Sequence, residues 1–203
     1  MRNYSRLMIV VSHECLDEQE GENNVEMTNG HTSITLPTFE SALGMLPPGS
    51  RVHVVARGSV GDKTVHRLSR IIRESCVYVS LDLSEVTEFS RVTNSPFEGN
   101  KNLLVIRFPG NLSAINARAF ADCTALELVS IPATCRQIGE EAFLGCCRLN
   151  SLTFVSPEGW LCDSASDKNL IVPSLGDPGS NPENFVLEDG AYAHCRLIKR
   201  ADV

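Results

Sequence analysis

A period of 23 residues runs through the middle of this chain. The repeated positions are Phe97, Phe120 and Phe143, each followed six residues later by Leu103, Leu126 and Leu149. A unit of about 23 residues is too small to bury its own apolar face, so successive copies must stack on one another. The period therefore predicts an elongated α/β repeat solenoid with a long open surface. Surfaces of this kind usually bind other molecules, whereas catalysis needs reactive groups that converge in a concave site.

Two copies of the unit agree closely in the chemical class of their residues. The matched positions are Leu103, Ile106, Phe108, Pro109, Ile115, Ala119, Phe120 and Cys123 in one copy, and Leu126, Val129, Ile131, Pro132, Ile138, Ala142, Phe143 and Cys146 in the next. Each copy has a short alternating run that is typical of a strand, and a proline ends it because proline lacks the backbone N–H that a ladder needs. Partial copies begin near Leu83 and near Leu149, as expected of terminal repeats that cap the core.

The consensus of these copies resembles a known family. The runs I-N-A-R-A-F-A-D-C-T-A-L (115–126) and I-G-E-E-A-F-L-G-C (138–146) are similar to the BspA-type leucine-rich repeat, whose unit reads I-G-x-x-A-F-x-x-C-x-x-L-x-x-I-x-I-P. The resemblance covers residues 81–157. It implies a right-handed horseshoe with short parallel strands on its concave face, in bacterial and protist proteins that are often exported and that adhere or bind proteins rather than catalyse reactions. The run Val77–Ser84 resembles spirochaete members of the family.

The remaining segments predict the domain organisation. We expect a mobile acidic leader over residues 1–33, an N-terminal capping region over 34–80, repeats over 81–172, and a C-terminal cap and tail over 173–203. Within the N-terminal cap, Arg51–Ala56 has a strand pattern, and Asp62–Cys76 places apolar residues at helical spacing with arginines opposite. A strand, a helix and the strand Val77–Ser84 would cover the open end of the first repeat.

Composition narrows the classes of partner and the compartment. The net charge of −7 argues against a nucleic-acid partner, which requires a cluster of lysines and arginines. No stretch approaches the roughly 20 apolar residues of a transmembrane helix. The apolar run Leu7–Val11 is shorter than the core of a secretory signal peptide, about 7–15 residues. The family resemblance nevertheless favours an exported, periplasmic or surface-associated protein.

The eight cysteines predict structural roles rather than a metal site. Cys123 and Cys146 occupy the same repeat position, where a buried thiol packs as a small apolar group. The chain has no C-x-x-C pair, and the calcium-like rhythm of Asp163, Asp167 and Asn169 is broken by Ala165. We therefore expect no metal, no cofactor and no catalytic residues. Disulfide formation remains open for five cysteines, namely Cys76, Cys135, Cys147, Cys162 and Cys195.

Strand alternation predicts a candidate partner-binding face. If Leu83, Ile106, Val129 and Leu152 point into the core, two rows of side chains point outward. The predicted rows are Asp82, Val105, Leu128 and Ser151, and next to them Ser84, Arg107, Ser130 and Thr153. Val105 and Leu128 would then form an adjacent exposed apolar pair. The function predicted from this face is a non-enzymatic protein-binding module, used for adhesion or for contact with a host or partner protein. The alternative is an assembly subunit that works through its caps or by self-association into a homodimer.

Overall fold

The 23-residue unit becomes one turn of chain that carries a strand on each of two sheets. A computed structural model of the protein describes residues 8–13, 36–163, 168–171 and 182–200. In the first sheet, parallel strands of successive units lie side by side in the order β3, β5, β7 and β9. Their bounds are β3 Tyr78–Thr87, β5 Leu103–Arg107, β7 Leu128–Ile131 and β9 Ser151–Phe154. Parallel pairing of consecutive units is the arrangement that the repeat period predicts.

A second sheet of very short strands lies on the other side of each turn. Its parallel strands are β4 Arg91–Val92, β6 Ala114–Ile115 and β8 Gln137–Ile138. The alternating run of each unit is shortened by proline, and Phe108 and Ile131 immediately before the prolines are buried. The chain then turns and returns through the second sheet, which leaves the apolar residues of both strands between the two sheets.

The repeated phenylalanines form the centre of this core. Phe120 stacks on Phe97 with ring centroids 5.1 Å apart and on Phe143 with centroids 5.5 Å apart, and all three rings are buried. The rings are nearly parallel because equivalent positions of consecutive turns repeat the same side-chain orientation. The three stacked rings bury a large apolar surface between successive units.

Two backbone positions in each unit have left-handed geometry. Ser95, Arg118 and Glu141 form one series with φ of 47°, 53° and 55°, and Gly99, Asp122 and Gly145 form the other with φ of 68°, 58° and 75°. Non-glycine residues adopt positive φ only at a cost of about 1 kcal/mol or more. The repetition of this geometry at 23-residue spacing shows that the turn itself is a conserved part of each unit's structure.

An α/β layer extends the first sheet on its N-terminal side. The layer contains β1 Met8–His13, α1 Leu36–Gly44, β2 Arg51–Ser59 and α2 Asp62–Glu74. Strand β2 is parallel to β3, and β1 is antiparallel to β2 at the edge of the sheet. The strand and helix predicted for residues 51–76 are confirmed. The leader assignment requires a correction, because residues 8–13 form β1 by pairing with β2 along its length. Residues 14–33 of that predicted leader lie outside the described residues.

Two asparagines join this layer to the first repeat. Asn100, at the position that Cys123 and Cys146 hold in later units, donates from Nδ2 to the Ser69 backbone oxygen at 3.0 Å. Asn102 donates from Nδ2 to the backbone oxygens of Ile72 and Ser75, at 3.0 and 2.7 Å. The Ile72 carbonyl also accepts from the backbone N and the Oγ of Ser75, at 3.2 and 2.7 Å, so Asn102 adds to the capping of the end of α2. The departure from the repeat consensus at Asn100 therefore follows from its neighbour, which is a helix and not another repeat.

The C-terminal segment closes the opposite end by reversing direction. The second sheet continues through β12 Arg196–Lys199, β10 Trp160–Asp163 and β11 Lys168–Ile171, and β12 pairs antiparallel with both β8 and β10. A short helix, α3 Glu183–Val186, lies before β12. Strands β10 and β11 fall inside the range predicted for repeats, but they pair antiparallel. A disulfide between Cys162 and Cys195 joins β10 to the residues before β12, with 5.6 Å between the Cα atoms.

Candidate protein-binding face

The outward side of the first sheet carries two rows of side chains that cross five strands. The strand pairing aligns His53, Ser80, Val105, Leu128 and Ser151 in the first row, and Val55, Asp82, Arg107, Ser130 and Thr153 in the second. Between the rows, the side chains point inward. These inward residues, Val54, Leu81, Ile106, Val129 and Leu152, are all buried. The alternation of buried and outward residues is that of a sheet with one face in the core and one face in solvent.

The strand register predicted from the sequence is correct for β5, β7 and β9 and wrong for β3. From β5 to β9 the predicted neighbours are confirmed, including the adjacent pair Val105 and Leu128. At β3, Ile106 pairs with Leu81 and not with Leu83, so the offset is 25 residues instead of 23. Asp82 therefore belongs to the second row, beside Arg107, and Ser84 lies beyond both rows.

The physical reason for this shift is the length of β3. The second sheet keeps the 23-residue offset, since Val92 pairs with Ile115. The first unit consequently holds two extra residues between its paired strand and β4, and β3 runs to Thr87. Asp82 is almost buried, with 8% of its surface exposed, and its Oδ1 accepts a hydrogen bond from the backbone N of Ser84 at 2.8 Å. Ser84 itself is exposed.

The apolar pair lies at the centre of the first row. Leu128 is 39% exposed and Val105 beside it is half-buried. Among the described residues, Leu128 is the large apolar side chain of the repeat sheet that remains exposed. On one side of the pair, a hollow is lined by Val105, Ser80 and His53. An apolar centre beside a hollow with polar groups is suited to a protruding side chain of another protein.

Charged and polar groups surround this apolar centre. At one end of the strands, Arg51 and Glu127 lie 3.8 Å apart and line a second hollow, and at the other end Arg57 pairs with Glu85 at 2.9 Å. The exposed guanidinium of Arg107 has no carboxylate partner within the described part of the chain. Ser130 and Ser151 are half-buried, and Thr153 is exposed. The face therefore has an apolar middle and a rim of hydrogen-bonding groups.

Three members of the face were not among the predicted site residues. His53 and Val55 come from β2, which lies before the repeats, and Ser80 comes from the first half of β3. The alternation in Arg51–Ala56 indicates a strand, but nothing in that segment follows the 23-residue period. The only usable signal would have been a pairing between β2 and β3, and pairing between strands is decided by the tertiary structure.

The contacts of the buried cysteine thiols fit the structural roles predicted for them. The Sγ of Cys123 donates to the Phe97 oxygen at 2.9 Å, and the Sγ of Cys146 donates to the Phe120 oxygen at 3.0 Å, which confirms their predicted burial. A hydrogen bond with the Cys123 thiol, together with burial, raises the pKa of Cys146 above its ordinary value. Burial raises the pKa of Cys135 to about 11. A thiol with a raised pKa carries little of the thiolate that nucleophilic or metal chemistry requires.

The described residues contain no cluster of three or more His, Cys, Asp or Glu side chains with the spacing of a metal site. Asp163, from the calcium-like rhythm, pairs with Arg196, and residues 164–167 lie outside the described residues. Across the described ranges, the helices are too short or too polar to cross a lipid bilayer.

Comparison with known proteins identifies the repeat. The family model described as BspA type Leucine rich repeat region matches residues 70–160 in 6 copies. The match includes β3, β5, β7 and β9, which carry most of the outward face. A search of curated proteins found no match to the chain.

Proposed function

Because residues 70–160 belong to the BspA-type leucine-rich repeat family, whose repeats generally mediate contacts between proteins, we propose that the outward face of the first sheet binds a protein partner. On this proposal the repeats form a short right-handed solenoid, and the face lies on its concave side. The residues in contact are those of the two rows, including the predicted Asp82, Val105, Arg107, Leu128, Ser130, Ser151 and Thr153, with Ser84 at the margin. The role is binding, as in adhesion or contact with a host or partner protein, and no step of catalysis is assigned.

The observation that carries this proposal is the outward-facing pair of half-buried Val105 and exposed Leu128. Adjacent apolar side chains at the centre of an open sheet lose contact with water when a partner covers them, at about 25 cal/mol for each Å². In β5, Arg107 is the next residue after Val105 on the outward side of the strand, and it is exposed. A guanidinium without an internal carboxylate partner is available to fix the orientation of a partner by hydrogen bonds.

The alternative is an assembly role in which the caps form the contact. Two exposed apolar side chains lie near the C-terminal end, Val155 with 66% of its surface exposed and Leu187 with 48%. Val155 directly follows β9, two residues after Thr153 at the edge of the second row, and Leu187 follows α3. If the protein associates with itself or with other subunits through this end, Val155 and Leu187 are the side chains that become buried.

A reciprocal pair of variants distinguishes the two functions. Val105→Lys/Leu128→Lys places two charges on the face, and Val155→Lys/Leu187→Lys places the same two charges at the C-terminal end. Each variant and the wild type are immobilised and exposed to extract of the source cells, and sedimentation velocity of the purified proteins measures self-association. If the face binds the partner, the wild type and Val155→Lys/Leu187→Lys retain the same proteins from the extract. Val105→Lys/Leu128→Lys does not retain them.

The opposite pattern would favour assembly through the caps. Both variants should keep the thermal unfolding midpoint within a few degrees of wild type, since outward residues lose little burial. A collapse of folding in the Val105→Lys/Leu128→Lys variant would show that these two side chains contribute to the core, which would remove the basis of the proposal.

A further inference from the structure

Helix α2 carries a basic stripe on its exposed side. Its apolar residues Val65, Leu68, Ile71 and Ile72 are buried. The opposite side exposes the four cations Lys63, Arg67, Arg70 and Arg73. At 1.5 Å rise for each residue, the stripe extends about 15 Å along the helix. The acidic residues of the helix are Asp62 and Glu74, at its two ends.

These cations are not neutralised by the parts of the protein that surround them. Within the described ranges, none of the four takes part in an ion pair. The Asp62 carboxylate accepts a hydrogen bond from Thr93 Oγ1 at 2.6 Å, and the Glu98 carboxylate is bound to Arg118 at 2.8 Å. Arg73 donates to the backbone oxygen of Glu98 at 3.2 Å, which holds its side chain over the first repeat. Lys101, exposed, lies in the sequence between the two asparagines that bind α2.

The stripe places four of the 18 lysines and arginines of the chain on one side of one helix. A concentrated positive strip creates a local potential that attracts negative groups. We propose that the exposed side of α2, from Lys63 to Arg73, binds a carboxylate-rich segment of a protein partner. An extended segment of about five residues matches the length of the stripe, at about 3.3 Å for each residue. The arginines present planar donor pairs that fit carboxylate oxygens in a bidentate geometry.

Other anionic partners fit these observations less well. A nucleic acid carries phosphates far beyond a strip of about 15 Å, so most of its charge would lie outside the stripe. A membrane surface is bound most firmly when apolar side chains insert beside the cations. The exposed large apolar residues of the described chain are Met45, Leu128, Val155 and Leu187, and none of them lies on α2. A short acidic segment needs neither a longer basic surface nor exposed apolar side chains beside the cations.

This surface is separate from the face of the first sheet. The buried residues of α2 pack in the same core as the inward residues of β2 and β3, so the helix covers the inner side of the sheet whose outer side carries the two rows. The proposal therefore stands or fails independently of the function proposed above. A partner that binds both surfaces would contact opposite sides of the molecule.

The test uses the full chain and a fluorescein-labelled synthetic peptide of about ten residues that alternates Glu and Ser, with a Gln and Ser peptide as the neutral control. Fluorescence anisotropy is measured at about 20 mM and about 150 mM salt, because screening weakens a charge-driven contact. The variant Arg67→Gln/Arg70→Gln removes the two central arginines. The variant Arg91→Gln/Arg148→Gln removes two exposed arginines elsewhere and changes the net charge equally.

We expect the wild type to bind the acidic peptide and not the neutral one, with weaker binding at the higher salt. Removal of Arg67 and Arg70 should weaken binding about tenfold or more, while the control variant stays within about twofold. Circular dichroism and the unfolding midpoint should not change in either variant, since all four arginines are exposed. Arg67→Glu/Arg70→Glu should transfer the preference to a Lys and Ser peptide.

Three results would overturn the proposal. The first is equal binding of acidic and neutral peptides by the wild type. The second is an equal loss of binding in both double variants, which would reflect net charge and not the stripe. The third is tighter binding of a single-stranded oligonucleotide, or of vesicles with phosphatidylserine, that also depends on Arg67 and Arg70.

Discussion

Phe120 is the side chain on which the stacking of the repeats depends most. It is fully buried and touches three other rings, Phe97 at 5.1 Å, Phe143 at 5.5 Å and Phe108 at 5.8 Å between centroids. Replacing a buried phenylalanine by alanine costs about 3–5 kcal/mol. Each aromatic pair adds about 0.5–1.5 kcal/mol beyond the buried area. Because three pairs are lost together, we expect Phe120→Ala to lie near the upper end, at about 4–5 kcal/mol.

The neighbouring rings provide the internal comparison. Phe97 and Phe143 each stack on one ring, Phe120. Phe97→Ala and Phe143→Ala should therefore cost about 1–3 kcal/mol less than Phe120→Ala, the value of two aromatic pairs. Tyr192 is partly buried at the edge of the core, and its ring contact among the described residues is with Phe185, so Tyr192→Ala should cost less again.

Urea unfolding measures these differences. With an m value of about 2 kcal/mol per M, a loss of 4 kcal/mol lowers the midpoint by about 2 M. Circular dichroism follows the whole chain, and fluorescence of the single tryptophan, Trp160, follows the C-terminal end. If Phe120→Ala does not fold, Phe120→Leu, which retains part of the side-chain volume, is measured in its place. Met45→Ala, at a residue that is 83% exposed, is the neutral control. A midpoint of Phe120→Ala close to wild type, or a smaller loss than for Phe97→Ala, would refute the reasoning.

Three further predictions concern the turns and the ends of the repeat stack. Gly139→Ala should lower the thermal midpoint by several degrees, because the added Cβ would lie 2.1 Å from a backbone nitrogen of the preceding unit. Arg118→Gln should destabilise the protein at neutral pH and progressively less as the pH falls. The hydrogen bond from Arg118 lowers the pKa of Glu141, so its stabilisation is present above the ordinary carboxyl pKa and is lost as the pH falls through the lowered value. Urea midpoints measured in steps from pH 7 into the acid range would show the difference from wild type narrowing. Reduction of the Cys162–Cys195 disulfide, which links residues 33 apart in the chain, should cost about 3–4 kcal/mol in urea unfolding.

Each of these changes has a matched control. Gly110→Ala meets open space at a glycine without positive φ, and its midpoint should stay near wild type. Arg148→Gln removes an exposed arginine that has no ion pair among the described residues, and its effect should not depend on pH in the acid range. Cys162→Ala/Cys195→Ala should be insensitive to reductant. A Gly139→Ala variant as stable as Gly110→Ala, a constant effect of Arg118→Gln across pH, or equal midpoints with and without reductant would contradict the respective prediction.

The sequence alone was sufficient for the parts of the fold that repeat or that depend on neighbours in the chain. Burial of Phe120 and Cys146 follows from the 23-residue period, because equivalent positions of stacked turns share one environment. Helix α2 follows from apolar spacing over Asp62–Glu74, a local pattern. Between β5 and β9 the period also predicts the strand register, and with it the adjacency of Val105 and Leu128.

Contacts that join different kinds of segment were decided only by the tertiary structure. Leu81 and Leu83 have the same alternation, so a shift of two residues keeps the same face buried, and only the packing of a longer β3 places Leu81 opposite Ile106. Strand β1 has no periodic partner and forms because β2 offers an open edge. Five cysteines were equally available for a disulfide, and the antiparallel return of β12 beside β10 brought Cys162 to Cys195. Periodicity describes what each residue has in common with its equivalents, whereas edges and ends have no equivalents, so three-dimensional packing alone selects their partners.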